Sequence, residues 1–289
     1  MKENFTQDDL QIGDILIFED FGFSLSKFFE KIKNGGTMGG AYYLLHYLIA
    51  WFDPGKEGAN YRNIYHAGIW GNVDVNRDNG KNPEFKDCVV QAGTTGIGHA
   101  SIESTLHHET VMNVYVCRLK NRSDSFISEI NDSIREFYKV KGNYSFETAW
   151  LLAVICSMRY SQGKLFDMLR VKVGSVAAHF IMEAVLNMIN QYNDDHQRDM
   201  VACSTLVAMM YKNAGHELPV HVFETSPIEL EEPNFQLPDG KELEKMPDLK
   251  TSVTNEATEW PTLKETLVTP RQLMESPDVE LVGVLHHKP

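Results

Sequence analysis

Short unbroken apolar runs and longer stretches with apolar residues every three or four positions divide this chain into strand-like and helix-like segments. Residues 14–18 (Asp-Ile-Leu-Ile-Phe) make a compact apolar run behind Gly13, which predicts a buried strand. Residues 65–70 and 88–92 predict two more strands, and the Asn-, Asp-, Gly- and Pro-rich stretch 71–87 between them reads as a long hairpin loop. A further run over 111–119 extends the series, so a meandering antiparallel sheet is expected. Helical spacing over 21–33 and 41–52 predicts two helices, with Gly35-Gly36 and Gly39-Gly40 as breakers between them.

The middle of the chain changes period. Phe126, Ile127, Ile130, Ile134, Phe137 and Tyr138 lie on one face of an amphipathic helix spanning 124–139. The segments 146–158 and 165–189 continue in helical fashion, and 203–213 is helical again, closed by Gly215. Near the end, Thr269-Pro270 opens a short helix over 271–275, and 280–285 reads as a last strand. The expected architecture is α+β, an antiparallel sheet packed on helices. It is read as a single domain over 1–289 with helical insertions near 21–52 and 145–198.

Nine of the eleven prolines lie from Pro219 onward, which excludes a long helix or a central strand from 216–267. Residues 217–265 hold twelve Asp/Glu against four Lys, or −8 of the formal −13 of the whole chain. An acidic, Pro-rich wrapping loop is therefore expected over 216–267, and it is the candidate surface for a protein partner. The net charge argues against a chain that coats nucleic acid or an anionic membrane by bulk electrostatics. The longest apolar stretches, 41–52 and 173–189, are respectively too short and too interrupted by polar residues to span a bilayer. The first residues carry no basic and apolar leader, so the expected location is the cytoplasm, or export as an effector without a Sec signal peptide.

Cys88, Cys117, Cys156 and Cys203 show no C-x-x-C pair and are too few for a disulfide framework. The first three lie within apolar segments and read as core. Cys203 differs, because it stands at the predicted first turn of a helix, where unpaired N–H groups and the helix dipole favour thiolate over thiol. His66, in Tyr65-His66-Ala67-Gly68, stands on a strand with small neighbours that leave room for approach to its ring, as a general base requires. No metal or cofactor is expected. Asp74-x-Asn76-x-Asp78 begins like a calcium loop but lacks the turn Gly and the closing Glu, and His107-His108-Glu109 lacks zinc-protease spacing. Asn121-Arg122-Ser123 matches a glycosylation sequon but reads as a helix start.

Taken in order, Gly13-Asp14-Ile15-Leu16, His66-Ala67-Gly68-Ile69, Val89-Val90-Gln91-Ala92, Gly142-Asn143-Tyr144 and Cys203-Ser204-Thr205-Leu206-Val207 resemble the circularly permuted branch of the papain-like NlpC/P60 superfamily. More narrowly, they resemble its YiiX/YebB-like cysteine hydrolases, whose closing segment is similar to Thr269-Pro270-Arg271-Gln272-Leu273. The resemblance implies a papain-like core with Cys203 as nucleophile and His66 as general base. It puts the imidazole-orienting residue at Gln91, where relatives commonly carry Glu; Glu103 and His99 are alternatives nearby in sequence. Tyr144 would contribute its hydroxyl to an oxyanion site. The implied activity is cleavage of an amide in a peptide or cell-wall peptide. Two other readings stand beside it: a lipid-directed thioesterase or acyltransferase using the same dyad, and a non-catalytic papain-like binding module.

Overall fold

The computed structural model describes residues 2, 4–53, 63–74, 84–93, 96–140, 162–175, 178, 179, 182, 203–220 and 268–287. Six strands build one antiparallel sheet: β1 (Ile15–Glu19), β2 (Ile64–Asp74), β3 (Glu84–Gly93), β4 (Gly96–Ala100), β5 (Asn113–Leu119) and β6 (Val279–His286). Their spatial order is β4-β3-β2-β1-β5-β6. Strand β1 lies between β2 and β5, and all five of its residues are buried, which is why its first four, Ile15 to Phe18, form an unbroken apolar run and not an alternation. The described helices are α1 (Leu25–Phe52), α2 (Ile102–Leu106), α3 (Phe126–Val140), α4 (Gln162–Val173), α5 (Cys203–Asn213) and α6 (Pro270–Met274).

The alternation of the strands feeds two cores. Ile15, Ile17, Ile69, Val90 and Cys117 pack with Phe126, Ile130 and Ile134 of α3 and with Leu206, Val207 and Met210 of α5. On the other face Leu16, Phe18, Tyr65, Trp70, Val89 and Val116 pack with Ile102 and Leu106 of α2. The Gly13-Asp14 pair anchors the frame. Gly13 has φ +86°, a conformation that suits glycine, and its carbonyl accepts the Tyr211 hydroxyl from the end of α5. The buried Asp14 carboxylate receives Arg118 through Nε at 2.8 Å and Nη2 at 2.7 Å, and Arg122 Nη2 at 2.8 Å.

Helix α5 closes as expected on Gly215, at φ +82°, with the His216 N–H bonded to the Tyr211 carbonyl. In α6 the Thr269 and Gln272 side chains cap reciprocally, and Pro270 sits in the first turn.

The structure departs from the sequence reading in three places. The two helices expected over 21–33 and 41–52 are one continuous helix, α1. Its glycines each cost only about 1 kcal/mol relative to Ala and leave the backbone free to stay helical, and no Pro interrupts the segment. Of the stretch 71–87 expected as a loop, 71–74 belong to β2 and 84–87 to β3. Asn72 sits where the β2–β3 register shifts, its N–H donating to Asn131 Oδ1 and its Oδ1 accepting from the Asp87 N–H. Strand β4 and helix α2 were not expected; Gly96-Ile97-Gly98 carries little strand propensity, and pairing with β3 places it in the sheet. The helix expected over 146–158, most of 176–202 and the acidic stretch 221–267 lie outside the described residues. Among the described residues, no helix is long and apolar enough to cross a membrane.

Candidate active site

His66 stands near the start of β2, opposite Phe18 in register, and the register slips between Phe18 and Glu19. The slip is visible in the packing as well. Ile64 and Ala67 belong to the same core cluster although three residues apart, which a strict period of two forbids. A bulge at Tyr65–His66 accounts for both observations, and a bulge re-aims the side chain it carries.

Gln91 on the neighbouring β3 places its carbonyl oxygen 2.9 Å from His66 Nε2. A carboxamide oxygen only accepts, so Nε2 carries the proton and Nδ1 is the nitrogen left as the base. The other positions considered for this role are occupied elsewhere. His99 Nδ1 lies 2.8 Å from the Tyr138 hydroxyl, and the exposed Glu103 belongs to the first turn of α2.

Cys203 is the first residue of α5, and its side chain meets His66, 137 positions away along the chain. The first turn of α5 is clamped from above. Ser204 Oγ donates to the Val268 carbonyl, and the Val268 N–H donates to Thr205 Oγ1 at 3.3 Å. Cys203 is only 7% exposed, so the thiol is nearly enclosed and not open to solvent.

Electrostatics distinguish this thiol from the other two described cysteines. Burial pushes Cys88 up to about 12, with Asp87 adding to the effect. Burial likewise pushes Cys117 up to about 12, with Asp14 adding. Cys203 experiences the same burial penalty, yet its pKa is lowered. The His66 charge, a hydrogen bond to His66, and backbone hydrogen bonds with Ala67 and Ser204 together outweigh desolvation. His66 moves the opposite way: burial works against its charged form, but the Cys203 charge and the bonds to Cys203 and Gln91 raise its pKa. Opposite shifts in one contacting pair favour the thiolate–imidazolium form.

Tyr144 lies outside the described residues, as do Cys156, Asn76 and Asp78. His107 Nδ1 lies 2.8 Å from the Glu103 carbonyl and His108 Nδ1 lies 2.9 Å from Thr110 Oγ1. Among the described residues, no group of three or more His, Cys, Asp or Glu side chains is arranged to hold a metal ion. Sequence reasoning passed over Tyr65 and Phe18, whose rings flank the imidazole. Their only sequence signal was adjacency to His66 and membership of the first apolar run.

No family model matches this chain, and no curated protein matches it.

Proposed function

We propose that this protein is a cysteine hydrolase of the permuted NlpC/P60, papain-like kind, acting on an amide bond of a peptide substrate. The observation that carries the reading is the contrast among three buried thiols: only the one at a helix start, against an imidazole, is shifted toward thiolate.

In the proposed cycle His66 Nδ1 holds the proton of Cys203, and the Sγ thiolate attacks the amide carbonyl carbon. A C–S bond forms and the carbonyl π electrons move onto oxygen. The Cys203 N–H, at the first position of α5 where intrahelical acceptors are lacking, is the donor placed to receive that oxyanion. The electrons then return, the C–N bond breaks, and His66 delivers its proton to the departing amine. Water next gives a proton to Nδ1 as its oxygen attacks the thioester. Collapse releases the carboxylic acid and restores the ion pair. Gln91 keeps Nε2–H engaged throughout, so the ring presents the same nitrogen in both half-reactions.

A second reading, hydrolysis or transfer of a fatty-acyl group with the same dyad, is favoured by the aromatic cluster that Phe23 forms with α1. Phe23 lies 5.2–6.1 Å, centroid to centroid, from Phe28, Tyr43, Tyr47 and Trp51. An acyl chain needs apolar side chains around it, which is the character of this cluster. Turnover of a panel of peptide amides and acyl thioesters, compared between wild type and Cys203→Ala, tests both. Amide cleavage abolished by the substitution is the expected result, and a preference for long acyl thioesters selects the second reading. Turnover by Cys203→Ala at the wild-type rate, or no turnover of either class by a well-folded wild type, overturns the catalytic assignment.

A further inference from the structure

Neighbouring side chains on a regular strand point to opposite faces, so Tyr65 and His66 should not meet. At the β2 bulge they do: their ring centroids are 6.0 Å apart and the planes are only 26° from parallel. Phe18, opposite His66 on β1, adds a second aromatic wall at 5.1 Å and 57°. The Tyr65 ring is itself held, being buried in the α2-side core with its hydroxyl 3.2 Å from Thr110 Oγ1. Thr110 in turn lies against His108 Nδ1 at 2.9 Å.

We propose, resting on the reading of Cys203 and His66 as a catalytic pair, that Tyr65 is a positioning residue for that reaction. Its ring, with Phe18, fixes the plane of the His66 imidazole so that Nδ1 stays aimed at the Cys203 sulfur.

The division of labour follows from the number of constraints an imidazole needs. Gln91 fixes one point of the ring, at Nε2, and leaves rotation about that bond free. The stacked Tyr65 ring and the tilted Phe18 ring restrict this freedom without placing another polar group at the site. Flat stacked and tilted ring pairs at these separations are favourable geometries. Burial pushes the Tyr65 phenol upward and outweighs the opposing Thr110 bond, and the charges of Asp20 and Cys203 add to the rise. The hydroxyl therefore stays protonated and neutral while the pair titrates. Tyr65 contributes a surface and not a proton.

The test is the pH profile of Cys203 alkylation by iodoacetamide on the full chain, read by mass spectrometry of the peptide bearing Cys203. Tyr65→Phe keeps the ring and should hold the wild-type midpoint within about 0.3 unit. Tyr65→Leu should raise it by about one unit, a roughly tenfold loss of thiolate at pH values below the midpoint. Phe18→Leu, which keeps most of the core volume, should move it in the same direction and serves if Tyr65→Leu does not fold. Wild-type midpoints in both leucine variants, or an equal shift in Tyr65→Phe and Tyr65→Leu, overturn the positioning role. A wild type whose profile is that of an ordinary thiol and is unchanged by His66→Ala overturns instead the catalytic pair itself, so the two failures are distinguishable.

Discussion

Replacing Gln91 probes the candidate site through a group that touches the imidazole and not the sulfur. Its carbonyl oxygen lies 2.9 Å from His66 Nε2, and when His66 is charged this hydrogen bond has a cationic donor. Such bonds contribute about 1.5–3 kcal/mol net. Gln91 is only partly buried, which places it at the low end of that range. At about 1.4 kcal/mol per pKa unit, Gln91→Ala should lower the His66 pKa by roughly one unit. The sign carries over to the sulfur: an imidazolium that forms less readily stabilises the thiolate less. Because His66 is what holds Cys203 below an ordinary thiol, the Cys203 midpoint should rise by up to about the same amount. Gln91→Glu should act in the opposite direction. A carboxylate at the same place attracts the imidazolium, with an upper bound of about 4 kcal/mol at 4 Å in an effective dielectric of 20. Burial of the new charge reduces that figure but leaves its sign. The assay is the pH dependence of thiolate absorbance near the ultraviolet edge, with Cys203→Ala subtracted to isolate one sulfur. Opposite displacements of the alanine and glutamate variants are expected. Displacement in the same direction, or none in either while His66→Ala moves the profile, would show that Gln91 does not orient the ring.

Two further outcomes concern the frame. Asp14→Asn removes the charge between two guanidinium groups whose side chains are only 18% and 14% exposed, so urea unfolding should show a loss of about 3 kcal/mol; a loss below 1 kcal/mol would mean the arginines find water instead. Gly13→Ala forces a side chain onto φ +86° and puts Cβ 2.9 Å from the Phe126 ring. A destabilisation of about 2 kcal/mol in the same unfolding assay is expected from the backbone term and the displaced ring together, and an unchanged midpoint would contradict that geometry.

Helix α5, its Gly215 cap, the strand core of β1 and the Thr269-Pro270 helix start were legible in the sequence because each depends on local rules: period, capping chemistry and backbone restriction. The candidate pair was legible for a different reason, since a thiol at a helix start and an imidazole between a tyrosine and two small residues each carry a local signature. The continuity of α1 was not legible, because glycine runs permit a break without requiring one. Nor was β4, whose place in the sheet comes from its partner strand and not from its own residues.

Residue order along this chain determined which side chains have nucleophilic, basic and hydrogen-bonding character and which backbone elements present them. Tertiary structure alone decided that Gln91 meets His66. It also decided that Cys203 is nearly enclosed, and that Tyr65 lies on the same side of the strand as its neighbour. The Gln91 and Tyr65 contacts depend on strand register and on one bulge, and the burial of Cys203 on the packing of α5 against the segment before α6; each is a relation between segments that no segment contains by itself.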